Sequence, residues 1–136
     1  MDFTTSLIVA ASGMRAQSDR MRTIAENIAN ANSTSNIPGG DPYRRKITTM
    51  KSEFDRELNA TLVTSGKPVA DSTAFRLQYD PGNPLADAKG YVKLPNVNEL
   101  VEIMDMREAQ RSYEADLTVM DASKAMLSRT VDLLRK

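Results

Sequence analysis

Residues 96–136 read NVNELVEIMDMREAQRSYEADLTVMDASKAMLSRTVDLLRK, and this stretch decides the fold. Its apolar residues recur at alternating steps of three and four, which is the spacing of one face of an α-helix. Neither glycine nor proline interrupts it. Asn96 is expected to cap the helix, with Glu99 three residues later completing a capping box. The stretch therefore predicts a rod of roughly 57 Å, which cannot bury its own apolar face.

We call the face predicted by this spacing the C-terminal seam. Its members are Ile103, Met106, Gln110, Tyr113, Leu117, Met120, Lys124, Leu127, Val131 and Leu134. Further apolar residues widen the surface beyond the seam: Leu100, Met104, Val119, Ala122, Met126 and Leu133. Because one partner helix would leave part of this surface in water, the helix is expected to contact more than one neighbour. The polar members Gln110 and Lys124 either set the register of a helix pair or lie at the edge of the seam, and both interpretations remain open.

A second helical pattern runs from Phe3 to about Ala31, with Asp2 as its expected N-cap. Four larger apolar residues recur in it at intervals of seven: Leu7, Met14, Met21 and Ile28. Many positions between them are small, which permits close helix packing. Gly13 weakens the helix by up to about 1 kcal/mol relative to alanine, which indicates either the close approach of a neighbour or tolerance of bending.

Between the helices the patterns are short. Alternation in residues 43–50 and 75–80 predicts strands, whereas Phe54, Leu58 and Leu62 indicate a helical turn. The sequence Asp80-Pro81-Gly82-Asn83 suits a type II turn, and Gly90 is expected to act as a pivot. The predicted fold class is mainly α, with long N- and C-terminal helices packed as an antiparallel coiled-coil pair and a middle segment of short β-strands and loops. The corresponding divisions are 1–33 for the first helix, 34–95 for the middle segment and 96–136 for the second helix.

Composition limits the chemistry. The chain contains neither cysteine nor histidine, so the usual zinc ligands, thiol nucleophiles and histidine-dependent catalytic sites are absent from the sequence. Carboxylates remain, and four of them lie close together on the second helix: Glu99, Glu102, Asp105 and Glu108. Interspersed arginines make a solvated helix face the favoured interpretation, with a carboxylate-based enzyme as the alternative. We predict no catalytic, metal-binding or cofactor-binding residues.

Charge and hydropathy also limit the partners. The formal net charge is zero and basic residues cluster only at 44–46, so nucleic acid is not an expected partner. The apolar run from Leu7 to Ala11 is far too short to span a membrane. Because only Asp2 is charged before that run, a cleaved signal peptide is not expected.

An asparagine-rich segment, residues 27–36, follows the first helical pattern. Asparagine competes for backbone hydrogen bonds and tolerates left-handed conformations. The segment is interpreted as a helix end, with a specific contact role as the alternative.

Three motifs resemble those of a known family. Asn27–Ser33 reads NIANANS and is similar to the signature that follows the first helix in the axial family of bacterial flagellar rod and hook proteins. Glu108–Ala115, EAQRSYEA, resembles the motif of the family's C-terminal helix. The segment Tyr79–Val97, YDPGNPLADAKGYVKLPNV, resembles that of short proximal-rod members and distinguishes them from their relative FlgB. Residues 34–78 contribute little to the resemblance.

The resemblance implies a structural subunit of the proximal rod of the flagellar basal body that polymerises through its terminal helices and transmits torque across the periplasm. It implies export through the flagellar type III apparatus without a cleaved signal peptide. The implied partners are other copies of the chain, the rod proteins FlgB and FlgF, FliE at the rod base and the export apparatus. Nucleic acid is not implied as a partner, nor is a membrane-spanning segment.

The predicted assembly interface combines both helices and the asparagine-rich segment. Its residues are Leu7, Met14, Met21, Ile28, Asn30, Asn32, Ile103, Met106, Gln110, Tyr113, Leu117, Met120, Leu127 and Val131. Within it, Tyr113, Leu117, Met120 and Leu127 are expected to anchor the inner helical layer against the four apolar residues of the first helix. The alternative from the residues alone is a generic coiled-coil adaptor, which would form a stable small oligomer by itself.

Overall fold

The computed structural model describes residues 2–135, which contain two long α-helices and six short β-strands. The elements are α1 (Phe3–Ala29), β1 (Lys46–Ile47), β2 (Met50–Asp55), β3 (Ala60–Ser65), β4 (Val69–Ala70), β5 (Arg76–Tyr79), β6 (Tyr91–Leu94) and α2 (Glu99–Leu134). The terminal helices pack together, and short strands and loops lie between them in sequence. This confirms the coarse fold class predicted from the sequence.

The start of α1 agrees with the sequence, but the start of α2 does not. Asp2 immediately precedes α1, and its carbonyl accepts a hydrogen bond from the Ser6 amide at 3.0 Å. At α2 the cap is Asn98, whose Oδ1 accepts from the Leu100 amide at 3.1 Å. The prediction that Asn96 caps this helix was wrong, because the Asn96 side chain bonds elsewhere in the middle segment.

The β2–β3 hairpin replaces the helical turn predicted around Phe54, and that prediction was wrong. The two strands are antiparallel, with Phe54 opposite Thr61 and Asp55 opposite Ala60. The Asp55 carboxylate accepts from the amides of Glu57 and Leu58 at 2.9 and 3.1 Å, which stabilises the turn. The spacing of four between apolar residues thus joins two strands across a turn and does not mark one helix.

The other strands form two antiparallel pairs, β1 with β4 and β5 with β6. The prediction of a strand in 75–80 is confirmed by β5, whereas 43–50 contains only β1 and the first residue of β2. A turn does follow β5, since the Asn83 amide donates to the Asp80 carbonyl at 3.2 Å. It is not the predicted type II turn, because Gly82 lacks the positive φ that type requires.

Gly90, the predicted pivot, has a backbone conformation that favours glycine. Its φ is 84°, and a Cβ there would lie 3.0 Å from the ring of Tyr79. That ring meets Tyr91 edge-on with the centroids 5.2 Å apart. Glycine is therefore required at this position both by the backbone conformation and by the aromatic pair.

The contacts divide the chain into two compact units. The first contains the described residues of Met1–Met21, Thr48–Lys67 and Arg107–Lys136, and the second contains Arg22–Ile47 and Pro68–Met106. Each helix therefore contributes to both units. The sequence-based division into 1–33, 34–95 and 96–136 remains a prediction.

The two units bury different kinds of side chain. The buried residues of the first are small: Ala10, Ala16, Ala60, Ala109 and Ser123. Those of the second include larger and polar side chains: Thr23, Ile24, Asn27, Ala31, Val92, Pro95, Val97 and Glu102. The first unit thus fully buries only small side chains, and its larger apolar side chains are half-buried or exposed.

Candidate assembly surface

The side chains that α2 buries recur at intervals of seven but lie beside the predicted seam. Glu102, Ala109 and Ser123 are buried, and the half-buried Asp116 belongs to the same series. Such residues trace one line along the helix. Every member of this line is small or polar, so the line contains none of the large apolar residues of α2.

The C-terminal seam runs along one flank of this buried line. Met106, Tyr113 and Met120 are half-buried. The remaining seam residues are exposed: Ile103, Gln110, Leu117, Lys124, Leu127, Val131 and Leu134. On the opposite flank the exposed apolar residues are Val101, Val119, Met126 and Leu133. Thus α2 presents apolar side chains on both sides of the strip that it buries within the chain.

Helix α1, like α2, buries mainly small or polar side chains and carries larger apolar side chains beside them. Its buried residues are Ala10, Ala16, Thr23, Ile24 and Asn27. The four predicted interface residues at intervals of seven are each half-buried: Leu7, Met14, Met21 and Ile28. Small side chains therefore occupy much of the inner face, and larger apolar side chains lie at its margins.

Two contacts in the first unit join the helices directly. A Cβ added to Gly13 would lie 2.5 Å from Oδ2 of Asp116, so the glycine permits the close approach indicated by the sequence. The second contact is an ion pair between the helices, in which Arg20 Nη2 lies 3.0 Å from Glu108 Oε2. Burial raises the pKa of Asp116 above its ordinary value.

Gly13→Ala is expected to lower the free energy of unfolding by about 1 kcal/mol, because displacing Asp116 costs more than the helix gains from alanine. In an Asp116→Ala background the same substitution should instead stabilise the protein by up to about 1 kcal/mol. Urea denaturation of the four variants measures this change of sign. Equal effects of Gly13→Ala in both backgrounds would show that the Asp116 contact does not matter.

The second unit contains a buried polar cluster centred on Asn27 and Glu102, which are each 1% exposed. Asn27 Nδ2 donates to the Lys46 carbonyl at 2.8 Å and to Glu102 Oε2 at 3.0 Å. Asn27 Oδ1 accepts from the Lys46 amide at 2.9 Å and from the Tyr43 hydroxyl at 2.8 Å. Both donors and the acceptor of this amide are therefore satisfied, as burial requires.

Arg45 supplies the positive charge of the cluster. Its Nε donates to Glu102 Oε1, and its Nη1 lies 3.3 Å from Asp71 Oδ2. Burial lowers the pKa of Arg45, but hydrogen bonding and the charge of Glu102 outweigh this effect and leave the pKa above its ordinary value. The pKa of Asp71 is lowered, first by the hydrogen bond from the Thr73 amide and then by Arg45. Charge-assisted hydrogen bonds of this kind hold three separate chain segments together.

Further asparagines extend these connections. Asn32 Nδ2 donates to Glu99 Oε1 at 2.7 Å, whereas Asn30 bonds back to the Glu26 carbonyl at 2.9 Å. The asparagine-rich segment therefore contains the end of α1 and also makes specific contacts, so both interpretations of it hold. The sequence did not single out Asn27, although an amide inside a helical pattern is a signal for a bonded contact.

The four carboxylates considered for catalysis each have a structural partner in the described chain. Glu102 and Asp105 approach Arg45, with Asp105 Oδ2 at 3.8 Å from Nη2. Glu99 accepts from Asn32, and Glu108 pairs with Arg20. No group of three acidic side chains suited to hold a metal ion occurs among residues 2–135. Within the same residues, neither helix is both long and apolar enough to cross a membrane.

Two family models match the ends of the chain. Residues 7–36 match the flagella basal body rod protein model, and residues 88–133 match the C-terminal model of the flagellar basal body rod proteins FlgEFG. These regions contain most of α1 and most of α2 with its buried line. Most of both helices thus lies in regions that match flagellar basal-body rod protein families.

The relatives define the family more narrowly. The chain is 50% identical over 127 residues to the flagellar basal-body rod protein FlgC of Agrobacterium fabrum, covering 93% of this chain and 91% of the relative. Against FlgC of Escherichia coli O6:H1 the identity is 41% over 131 residues, with 92% of each chain covered. FlgC of Bacillus subtilis is 38% identical over 143 residues, which cover 94% of this chain and 95% of that protein. The chain belongs to the FlgC family of flagellar basal-body rod proteins.

Membership of this family makes the chain a structural subunit of the rod of the flagellar basal body. The family consists of structural proteins, so the expectation that the chain is not an enzyme is confirmed by the comparison. A rod is built by association of its subunits with further copies and with other rod components. The exposed apolar flanks of α2 are the surfaces to examine for that role.

Proposed function

We propose that this chain polymerises in the proximal rod through its two helices, which form an antiparallel coiled-coil pair and leave both flanks of α2 for neighbouring subunits. The observation that carries the proposal is the division of apolar residues on α2. The strip buried within the chain is small and polar, whereas Leu117, Leu127 and Val131 are exposed. Leu117 and Leu127 are 39% and 40% exposed in the single chain, so burying the remainder against a neighbour stabilises assembly by about 1 kcal/mol each.

The contacts within the first unit support an antiparallel arrangement. Gly13 lies beside Asp116, and the later residue Arg20 pairs with the earlier residue Glu108. Residue numbers therefore rise along α1 as they fall along α2. The seven-residue spacing of the buried line on α2 is the spacing expected of a coiled coil.

The same pairing leaves the end of α2 without α1 beside it. If the antiparallel pairing of Gly13 with Asp116 continues toward the start of α1, Phe3 lies opposite Met126. Residues 127–134 would then extend beyond the start of α1, and the exposed apolar side chains there are Leu127, Val131, Leu133 and Leu134. We infer that a neighbouring subunit covers this extension.

The predicted interface residues fit this scheme. Tyr113, Leu117, Met120 and Leu127 would anchor the inner layer. The partners would be the half-buried residues at intervals of seven on α1: Leu7, Met14, Met21 and Ile28. For Leu127, which lies beyond the start of α1 in its own chain, the partner would be on α1 of a neighbouring subunit. The divisions proposed for the assembled subunit are 1–33 and 96–136 for the coiled coil and 34–95 for the middle segment.

The proposed partners are other copies of the chain, FlgB, FlgF, FliE and the export apparatus. The proposed location is the periplasmic part of the basal body, reached through the flagellar export apparatus without a cleaved signal peptide. Family membership supports both statements. Torque would pass through many modest contacts along the helices, so that no single bond carries the load.

Electron microscopy of basal bodies tests the role. A strain lacking the gene is expected to show membrane rings without a rod or hook. The full chain should restore both structures, whereas a chain ending before Leu117 should not, because it lacks most of the exposed apolar flanks. Normal flagella in the deletion strain would contradict the proposed function.

A further inference from the structure

The outer edge of β2 is an unpaired strand edge. The Gly66 amide donates to the Thr49 carbonyl at 2.8 Å, which fixes the alternation of hydrogen bonds along the hairpin. Lys51, Glu53 and Asp55 consequently direct their backbone groups toward β3. Their neighbours on β2 direct amide and carbonyl groups away from the hairpin: Met50, Ser52 and Phe54.

The two edges of the hairpin differ in whether another part of the chain covers them. On β3 the outward Val63 amide donates to Ser12 Oγ at 3.1 Å, so α1 covers that edge. Within residues 2–135, the outward backbone groups of Met50, Ser52 and Phe54 have no hydrogen-bond partner. Ser52 is exposed, and 57% of Phe54 is exposed. An edge of this kind can pair with a further strand.

We propose that the β2 edges of two free copies of this chain pair with each other, antiparallel and about a twofold axis at Ser52. Ser52 of one copy then lies opposite Ser52 of the other. Met50 lies opposite the second copy's Phe54, and Lys51 lies opposite the second copy's Glu53. All three outward residues of each copy find hydrogen-bonding partners in this register.

The charges on β2 select this register over its neighbours. Charged residues usually protect an edge from pairing, but here their order makes one alignment attractive. A shift to the adjacent alignment in one direction places Lys51 opposite Lys51. A shift in the other direction places Glu53 opposite Glu53, and this repulsion offsets part of the attraction between Lys51 and Asp55 in that alignment. Opposite charges across neighbouring strands are favourable and like charges are unfavourable. The alignment centred on Ser52 contains two Lys51–Glu53 pairs and no like-charged pair between these residues.

Side-chain packing and strand number favour the same pairing. The exposed ring of Phe54 would meet the Met50 side chain of the second copy, and thioether–aromatic contacts are favourable. Pairing converts two two-stranded sheets into one four-stranded sheet and adds backbone hydrogen bonds along the edge that α1 does not cover.

A twofold pair has a defined relation to the rod. It uses the same edge on both copies and therefore closes, whereas a polar rod grows by contacts between different surfaces. The pair consequently belongs to free copies and has to open before they join a rod. This inference goes beyond the proposed function and does not depend on it.

Sedimentation equilibrium of the purified full chain tests the pair. A monomer–dimer equilibrium is expected. Lys51→Glu and Glu53→Lys should each raise the dimer dissociation constant by about tenfold, since each places like charges across the strands. The double variant Lys51→Glu/Glu53→Lys should restore the wild-type constant. An equimolar mixture of the two single variants should form a heterodimer.

The control Glu57→Lys changes the net charge as Glu53→Lys does, but residue 57 lies in the turn. Its dimer dissociation constant should match that of the wild type.

Two results would overturn the proposal in solution. One is a chain that remains monomeric at every concentration up to its solubility limit. The other is self-association that ignores these charge reversals, which would indicate contact through the helices. In cells, Glu53→Lys should leave motility unchanged. Loss of motility in that variant, with normal export, would place the edge inside the rod and would also overturn the assignment to free copies.

Discussion

Glu102→Ala is expected to lower the free energy of unfolding by about 2–3 kcal/mol, because it removes acceptors from the partly buried guanidinium of Arg45 and from the buried amide of Asn27. Arg45 would lose the acceptor of its Nε, and Asn27 would lose one of the two acceptors of its Nδ2. The penalty reflects these stranded groups and not the intrinsic strength of one ion pair. Urea denaturation followed by circular dichroism measures it as a shift of the midpoint.

A matched control lies one helix turn and a half further along α2. Glu108 also pairs with an arginine, Arg20, but its side chain is 66% exposed. Glu108→Ala is therefore expected to change the free energy of unfolding by no more than about 1 kcal/mol. Similar effects of the two substitutions would show that burial of the Glu102 cluster does not contribute to stability.

The Glu102 cluster also shows what sequence reasoning missed and why. Spacing places Glu102 among other charged residues of a helix, where carboxylates usually face water. Its burial depends on Arg45 and Asn27, which come from distant parts of the chain. A local sequence pattern cannot predict these contacts, since only the folded backbone brings the three residues together.

The two helices were predictable because each has many periodic residues and few interruptions. Their bounds differ from the prediction by two or three residues, and the shift at α2 follows from Asn98, which supplies the cap in place of Asn96. Both asparagines lie in the same polar segment, so the sequence could not show which one caps the helix. In the structure Asn96 Oδ1 accepts a hydrogen bond from the Arg45 amide and is not available to cap α2.

The apolar pattern on α2 predicted a helix correctly but did not identify its buried strip. Periodicity favours large apolar residues as the inner face, yet the inner positions are Ala109, Asp116 and Ser123. Gly13 was the one local sign that the helix contact would be close. An apolar seam reports which face avoids water in the final assembly, and in a rod protein that assembly contains more than one chain.

Leu117→Asp is expected to abolish motility while lowering the free energy of unfolding of the free chain by only about 1–2 kcal/mol. Leu117 is 39% exposed in the single chain, so a carboxylate there can remain hydrated. In the proposed rod the same position would be covered by a neighbour. Burying an unpaired carboxylate is strongly unfavourable, and the cost would recur at every copy.

Thr118→Asp is the control, since it introduces the same side chain at the next position. Thr118 is exposed on the polar side of α2, with Arg111 and Glu114, and lies away from both apolar flanks. Cells with this variant should swim normally. Motility on soft agar, together with the exported amount of each variant, separates a defect of assembly from a defect of export.

The two variants distinguish an effect on the apolar flank from a general effect of added charge on α2. If both abolish motility at normal export, α2 tolerates no added charge and the seam is not specifically responsible. If Leu117→Asp swims as well as Thr118→Asp, the flank containing Leu117 stays in water in the rod and the proposed interface is wrong. Loss of motility in Leu117→Asp alone, with the free chain still folded, would mean that this flank serves contacts between subunits and not the fold of one subunit.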